Sequence, residues 1–249
     1  MQALWGERRR IGLWRRLWLA LMEAEKDLGV RISDEAVNQL RSHLDDADLD
    51  KAAEYERRLR HDVMAHIHHL GDQAPAARPL IHLGATSAYV TDNADLVLMR
   101  EAMQLLLGRI GALLVAMGTV ARRYRALPCL AYTHFQPAQL TTVGKRMTLW
   151  MQEFALDAEE LLNRITTLRF RGVKGTTGTQ ASFLELFDGD HAKVTELDSR
   201  VTRAMGFAHA QIAEHEAIDD REHRGVRPDG QSQCRDRDRG ETRRAAHLS

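Results

Sequence analysis

Apolar residues recur at helical spacing along most of the chain, and the two longest such patterns cover residues 92–126 and 141–168. Helices of this length exceed the average of about 11–12 residues found in globular proteins. A broad leucine stripe, wider than a coiled-coil seam, runs along the first of them. That stripe comprises Leu96, Leu98, Leu105, Leu106, Leu113 and Leu114. Neither helix can bury such a stripe alone, so the pattern predicts an all-α, oligomeric bundle with no convincing sheet.

Shorter helical patterns precede and follow this pair. The first covers residues 13–28, and the second begins after Ser33, whose hydroxyl is suited to cap a helix. A third helix is predicted to run without a break from about residue 47 to 70, and another covers residues 190–205.

The composition changes abruptly after residue 212, where large apolar residues almost vanish and Arg, Asp, Glu, Gly and His dominate. Such a segment buries too little apolar area to offset its ordering entropy. We therefore expect a disordered low-complexity tail at 213–249. It follows an N-terminal helical domain, 1–91, and part of a central long-helix bundle domain, 92–212.

Charge and cysteine content exclude several classes of protein. The chain has 249 residues, and its 35 basic side chains balance 35 acidic ones, so nothing suggests nucleic-acid binding. Two cysteines fit a reducing compartment. Arginines interrupt the apolar N-terminal stretch, which does not read as a signal peptide, and the most apolar stretch, 110–121, is too short to span a bilayer. These features predict a cytosolic protein without a membrane partner.

One candidate for proton transfer is His134, within the run THFQPAQLTTVGKR at residues 133–146. A histidine placed on a polar loop before a long helix is able to exchange protons near neutral pH. The commoner interpretation is a cap or a surface group. Thr133, Gln136 and their neighbours crowd this loop with more donors and acceptors than one cap requires, which favours a functional site.

Arg60, His61 and Asp62 form a second cluster, in the run RHDVMAH. They are either an exposed helix face with paired charges or a clamp for a carboxylate or phosphate, and composition alone leaves both open. His66 and His69 share a helix face in the same region, but no Cys or Glu completes a zinc site, so we expect no metal.

A third cluster lies in the run IHLGATSAYVTDN at residues 81–93. It reads as a turn and a helix start capped by Thr91 or Asp92. It also offers hydroxyl and N–H groups to a carboxylate at Thr86 and Ser87, while Gly84 would let the backbone approach a ligand.

The glycine- and threonine-rich loop RGVKGTTGTQAS, at residues 171–182, lacks the residue order of a phosphate-binding P-loop. From its composition alone it is a linker.

These runs together resemble the adenylosuccinate lyase family of the fumarase/aspartase superfamily, over roughly residues 4–207. The resemblance implies a helical homotetramer that releases fumarate from adenylosuccinate, giving AMP, and from succinyl-AICAR, giving AICAR, in purine biosynthesis without a cofactor. It makes His134 the general acid. It also implies substrate binding by Arg60, His61, Asp62, Thr86, Ser87, Thr133 and Gln136, and support by Lys174, Thr176, Thr177 and Ser182. His61 is expected to lie near enough to His134 to tune its protonation.

The chain departs from the family pattern in three places. The family's serine-bearing loop, which supplies the base, is absent, as are its Gly-Gln-Thr-Tyr segment and an N-terminal Arg-Tyr segment. We therefore expect a bundle that lacks the C-terminal part of the fold, ending in a frameshifted or truncated tail. Two alternatives follow: a non-catalytic helical fragment that only oligomerises, and a sister lyase such as one acting on argininosuccinate.

Overall fold

The computed structural model describes residues 1–211, so the predicted tail at 213–249 lies outside the described residues. The described elements, in chain order, are α1 (Glu7–Asp27), α2 (Asp34–Ser42), α3 (Leu49–Leu59), α4 (Asp62–Gln73), α5 (Ser87–Arg123), β1 (Pro128–Thr133), β2 (Gln136–Thr142), α6 (Val143–Thr167), α7 (Ala181–Leu186) and α8 (His191–Ala204).

Helices α5 and α6 form a long antiparallel pair joined by the two strands. Their 37 and 25 residues correspond to lengths of roughly 55 and 38 Å at 1.5 Å per residue. The pair is tightest where α6 begins, because a Cβ built on Gly144 would lie only 2.5 Å from the carbonyl oxygen of Ala121. Further along, Gly118 faces Met151. The glycines therefore set how closely the two helices approach.

The outer surface of this pair is apolar and exposed, as the leucine stripe predicted. The exposed residues include Leu105, Leu106, Leu113, Leu149, Trp150, Leu156 and Leu162. Within residues 1–211, α5 is the helix long and apolar enough to cross a membrane by length and composition, with a window of mean hydropathy 1.6 that is 6% buried. The sequence prediction considered residues 110–121 alone and therefore underestimated the length of the apolar segment, because the apolar pattern of α5 extends beyond that stretch.

The hydrophobic core lies at the other end of the molecule, where α1 packs against the first turns of α5 and against α8. Its largest fully buried side chains include Trp18, Tyr89, Phe170, Phe183 and Leu197. The Tyr89 hydroxyl donates to the Leu17 carbonyl oxygen at 2.8 Å, which ties α5 to α1. This core fixes the N-terminus of α5 and, with it, the motifs that surround that helix end.

The third predicted helix is wrong as a single element, because the chain breaks between α3 and α4. Arg60 ends α3 in the left-handed conformation, with φ 54°, and its N–H donates to the Glu56 carbonyl. His61 then caps α4, its Nδ1 accepting from the Met64 N–H at 3.4 Å. Apolar periodicity continues across the break, so the sequence pattern concealed it.

The prediction of no sheet is also wrong, because β1 and β2 form an antiparallel hairpin between the long helices. His134 and Phe135 make its two-residue turn, with φ values of 51° and 62°. Such turns usually contain Asn or Gly, which tolerate positive φ. Neither is present here, so the usual sequence signal for a hairpin was missing.

The predicted helix caps were right in one case and wrong in another. Ser33 caps α2 and accepts from the Ala36 N–H at 3.1 Å, which confirms that prediction. Helix α5 begins at Ser87 with Thr86 at the cap position, so Thr91 and Asp92 lie inside the helix and not at its start.

Candidate functional site

Two helix N-termini meet where α4 and α5 begin. His61 occupies the cap position of α4, and its Nε2 lies 3.4 Å from the Oγ of Ser87, the first residue of α5. The partial positive charge of a helix N-terminus favours an anion, and α5 has no side-chain cap to satisfy its first N–H groups. The structure thus brings two predicted clusters, 26 residues apart in sequence, to one place.

The glycine- and threonine-rich loop forms one wall of a cleft beside the first turns of α5. The Thr86 N–H donates to the Lys174 carbonyl oxygen at 3.2 Å, while the Thr86 side chain makes no capping hydrogen bond. A cleft of about 280 Å³ lies between them and is lined by Thr86, Lys174, Thr176 and Thr177. Four predicted site residues, which come from two separate sequence motifs, therefore share one cleft.

Polar side chains of α5 and α8 hold this loop in place. Asn93 in α5 donates to the Gly172 carbonyl at 3.0 Å, and its Oδ1 accepts from the Arg171 N–H at 2.8 Å. Asp198 in α8 accepts from the Val173 N–H at 2.5 Å. Neither Asn93 nor Asp198 is given a role by a sequence motif. The sequence gives no reason to single out one asparagine within a helix. Asn93 becomes conspicuous because the structure shows it to be buried, and buried polar groups need hydrogen-bond partners.

Ser182 and Gly84 connect the glycine- and threonine-rich loop to the segment that precedes α5. Ser182 lies at the end of the glycine- and threonine-rich loop, and its hydroxyl donates to the Gly84 carbonyl at 2.5 Å. At Gly84 the structure gives a packing reason for the glycine. It has φ +68°, and a Cβ there would lie 2.8 Å from the ring of Phe183. The missing side chain is required by packing against α7.

Arg60 and Asp62 flank His61 at the rim of the site. The Arg60 side chain is exposed, and within residues 1–211 its guanidinium has no hydrogen-bonding or ionic partner. Asp62 accepts from the Val63 N–H at 2.7 Å, so one of its oxygens serves the first turn of α4. Of these two, only Arg60 keeps its full hydrogen-bonding capacity for a ligand.

His82 is a further imidazole close to His61, and no sequence motif assigned it a role. Its Nδ1 lies 3.0 Å from the indole Nε1 of Trp18 in the core. Burial, and then the charge of His61, lower the pKa of His82 to about 4. No local pattern marks it, because its partner is 64 residues away in sequence.

His134 lies far from this cleft within the same chain. It is exposed in the turn of the hairpin, where Thr133 pairs with Gln136. Helix α5 separates it from Ser87 by roughly 55 Å, and a strand of six residues spans only about 20 Å. Even a hairpin folded back along α5 would leave a gap of roughly 35 Å, so in one chain His134 does not adjust the protonation of His61.

Comparison with known proteins shows which family this chain matches. A family model described as lyase matches residues 15–217. Adenylosuccinate lyase from Schizosaccharomyces pombe is 52% identical over 210 residues, and that from Saccharomyces cerevisiae is 50% identical over 210 residues. Both alignments cover 83% of this chain and 44% of the relative, so the chain spans about half the length of these relatives.

A solved structure supports the fold. The crystal structure of fumarate lyase from Mesorhizobium sp. BNC1 superimposes with a TM-score of 0.73 at 22% identity, covering 87% of this chain and 50% of the other. The predicted all-α long-helix fold is therefore confirmed over the described residues, with the hairpin as its β component.

Proposed function

Because the chain belongs to the lyase family, we propose that it carries the fumarate-releasing site of an adenylosuccinate lyase. The reaction would be β-elimination of fumarate from adenylosuccinate, giving AMP, and from succinyl-AICAR, giving AICAR. The observation that carries the proposal is the 52% identity to a relative of that name over 210 residues. The cleft beside the N-terminus of α5 supports it, because both substrates carry a dianionic succinyl group and a helix N-terminus favours an anion.

The chemistry follows from where charge develops. A base removes the proton beside one carboxylate of the succinyl group, and the resulting carbanion delocalises into that carboxylate. Thr86, Ser87 and the first N–H groups of α5 would donate hydrogen bonds to it. The C–N bond then breaks, its electron pair leaves with the nitrogen, and His134 protonates that nitrogen. Because the substrate carboxylate accepts the electrons, we propose that no cofactor takes part.

The remaining predicted residues receive proposed roles by position. His61, Arg60 and Asp62 would orient the substrate at the rim, and Thr133 and Gln136 would do so beside His134. Lys174, Thr176, Thr177 and Ser182 would shape the opposite wall. Lys174 Nζ lies 3.8 Å from the Asp198 carboxylate, which helps hold the loop against α8.

The distance between His134 and the cleft requires more than one copy of the chain. We propose a homo-oligomer, a homotetramer by family resemblance, in which the exposed apolar faces of α5 and α6 pack together. The hairpin of one copy would then reach the cleft of another. The exposed leucines of the pair support this arrangement, since a contiguous exposed apolar surface usually marks an interface. We also propose a cytosolic location, because arginines interrupt the apolar N-terminal stretch and two cysteines fit a reducing compartment.

An activity assay tests the proposal. The purified chain is mixed with adenylosuccinate, and the absorbance change on AMP formation is followed. Turnover that His134→Ala abolishes would support the proposal. Fumarate release from argininosuccinate instead would favour a sister lyase. An inactive helical oligomer, identified by circular dichroism and light scattering, would favour a non-catalytic assembly.

Mixing two inactive variants tests whether the site is shared between copies. His134→Ala removes the proposed general acid in the hairpin, and Ser87→Ala removes a proposed hydrogen-bond donor at the N-terminus of α5. If copies exchange freely, about one site in four in the mixture combines an intact cleft with an intact hairpin. Recovery of activity toward that fraction is expected. No recovery, with subunit exchange verified, would contradict a site built from two copies.

A further inference from the structure

The backbone of His82 adopts a conformation that is uncommon for residues other than glycine. Its φ is 69°, in the left-handed region, where a residue other than glycine persists only if its surroundings fix it. The indole of Trp18 packs against its ring nearly at right angles, at 86°, with centroids 6.1 Å apart. Trp18 is fully buried in α1, so this contact joins His82 to the hydrophobic core.

The hydrogen bond between these rings determines where the imidazole proton lies. An indole nitrogen can only donate, so His82 Nδ1, 3.0 Å from Trp18 Nε1, must be the unprotonated nitrogen. A neutral imidazole has one N–H, which in His82 is then on Nε2. Because Nδ1 faces the core, the Nε2–H is the group that remains for another partner.

We propose that Trp18 is a positioning residue that fixes His82 as the Nε2–H tautomer, so that a neutral donor stands near His61 for a substrate carboxylate. This inference deepens the proposed function, on which the identity of the substrate anion rests. The tautomer itself follows from the Trp18 contact alone. The neutral ring complements Ser87 and Thr86, which also bind an anion through uncharged donors.

His61 shows that the effect is specific to His82. Its Nδ1 lies 3.4 Å from the Met64 N–H and 3.5 Å from an Asp62 carboxylate oxygen. One neighbour favours an unprotonated Nδ1 and the other a protonated one. His61 therefore finds a partner in either tautomer, whereas His82 does so in one, and His61 serves as an internal reference.

Nitrogen NMR of the imidazole rings tests this inference without any ligand. The chain is labelled with ¹⁵N in histidine and tryptophan and observed near pH 7. For His82 we expect Nδ1 to resonate as an unprotonated nitrogen and Nε2 as a protonated one. In Trp18→Phe, which keeps an aromatic ring but loses the donor, the two resonances should shift toward each other as the second tautomer becomes populated.

Trp14→Phe is the matched control. Trp14 lies one turn earlier in α1 and is also buried, but its indole N–H has no hydrogen-bond partner among the described residues. This variant also removes one buried indole N–H, and it should leave the His82 resonances unchanged. Circular dichroism checks that both variants keep their helices.

The outcomes separate this inference from the proposed enzyme activity. A protonated Nδ1 in the unaltered chain would overturn the inference, as would a Trp18→Phe spectrum identical to the unaltered one. If Trp18→Phe does not fold, the unaltered chain still decides through the through-bond coupling between Trp18 Nε1 and His82 Nδ1, which is present or absent. Failure to convert adenylosuccinate would count against the proposed function and leave the tautomer result as it is.

Discussion

Replacing Glu25 by Gln should stabilise the chain, increasingly so as the pH rises. Glu25 lies on α1 with no exposed surface, and neither of its side-chain oxygens has a hydrogen-bond partner among the described residues. Burial raises its pKa from 4.5 to about 9. The folded chain therefore binds a proton at pH 7 that the unfolded chain releases.

The sign and size of the effect follow from this difference. Between the two pKa values the unfolded state binds fewer protons, so the free energy of unfolding falls as pH rises, by about 1.4 kcal/mol per pH unit. At pH 7, which is 2.5 units above 4.5, the accumulated loss is about 3 kcal/mol. Gln removes the protonation term but keeps a buried amide, which itself costs about 1–3 kcal/mol when unpaired. The change of slope is therefore the cleaner measure.

Urea unfolding followed by circular dichroism, at fixed protein concentration between pH 5 and 8, measures this slope. The difference between Glu25→Gln and the unaltered chain should grow by roughly 4 kcal/mol over that range. Glu153→Gln, at an exposed position of α6, is the control and should give a parallel curve. Parallel curves for Glu25→Gln as well would show that Glu25 is ionised in the folded chain, and would refute the reasoning.

Three further predictions concern packing and acid stability. Gly144→Ala should destabilise the chain by about 1–3 kcal/mol in urea unfolding, because its Cβ meets the α5 backbone, whereas Gly111→Ala, with nothing within 4 Å, should stabilise it by up to about 1 kcal/mol; equal effects would contradict the close approach. Gly84→Ala should lower the melting temperature through its clash with Phe183 and its positive φ, and an unchanged melting temperature would mean that the ring moves freely. Burial, and then the nearby Arg15 charge, lower the pKa of His66 to about 4, so stability should fall between pH 6.5 and 4, by about 2 kcal/mol at pH 5; His66→Gln should lose less over that range, and an equal loss would argue against a buried neutral ring.

The sequence by itself determined the helical class, the long pair, the Ser33 cap and the motif clusters. Each of these depends on a periodicity or a hydrogen bond that spans only a few residues. Thr142 illustrates the point, since its hydroxyl caps α6 by accepting from the N–H of Lys145, three residues on. The sequence also indicated the exposed apolar stripe, because no single helix is able to bury it.

Only the tertiary structure decided how the site is assembled. It joined His61 to Ser87, assigned Gly84 to packing, ended α3 at Arg60, and separated His134 from the cleft by the length of α5. It also placed the Trp18 indole against His82. These features depend on how helices pack across large sequence separations, and no local propensity records the angle or register of that packing.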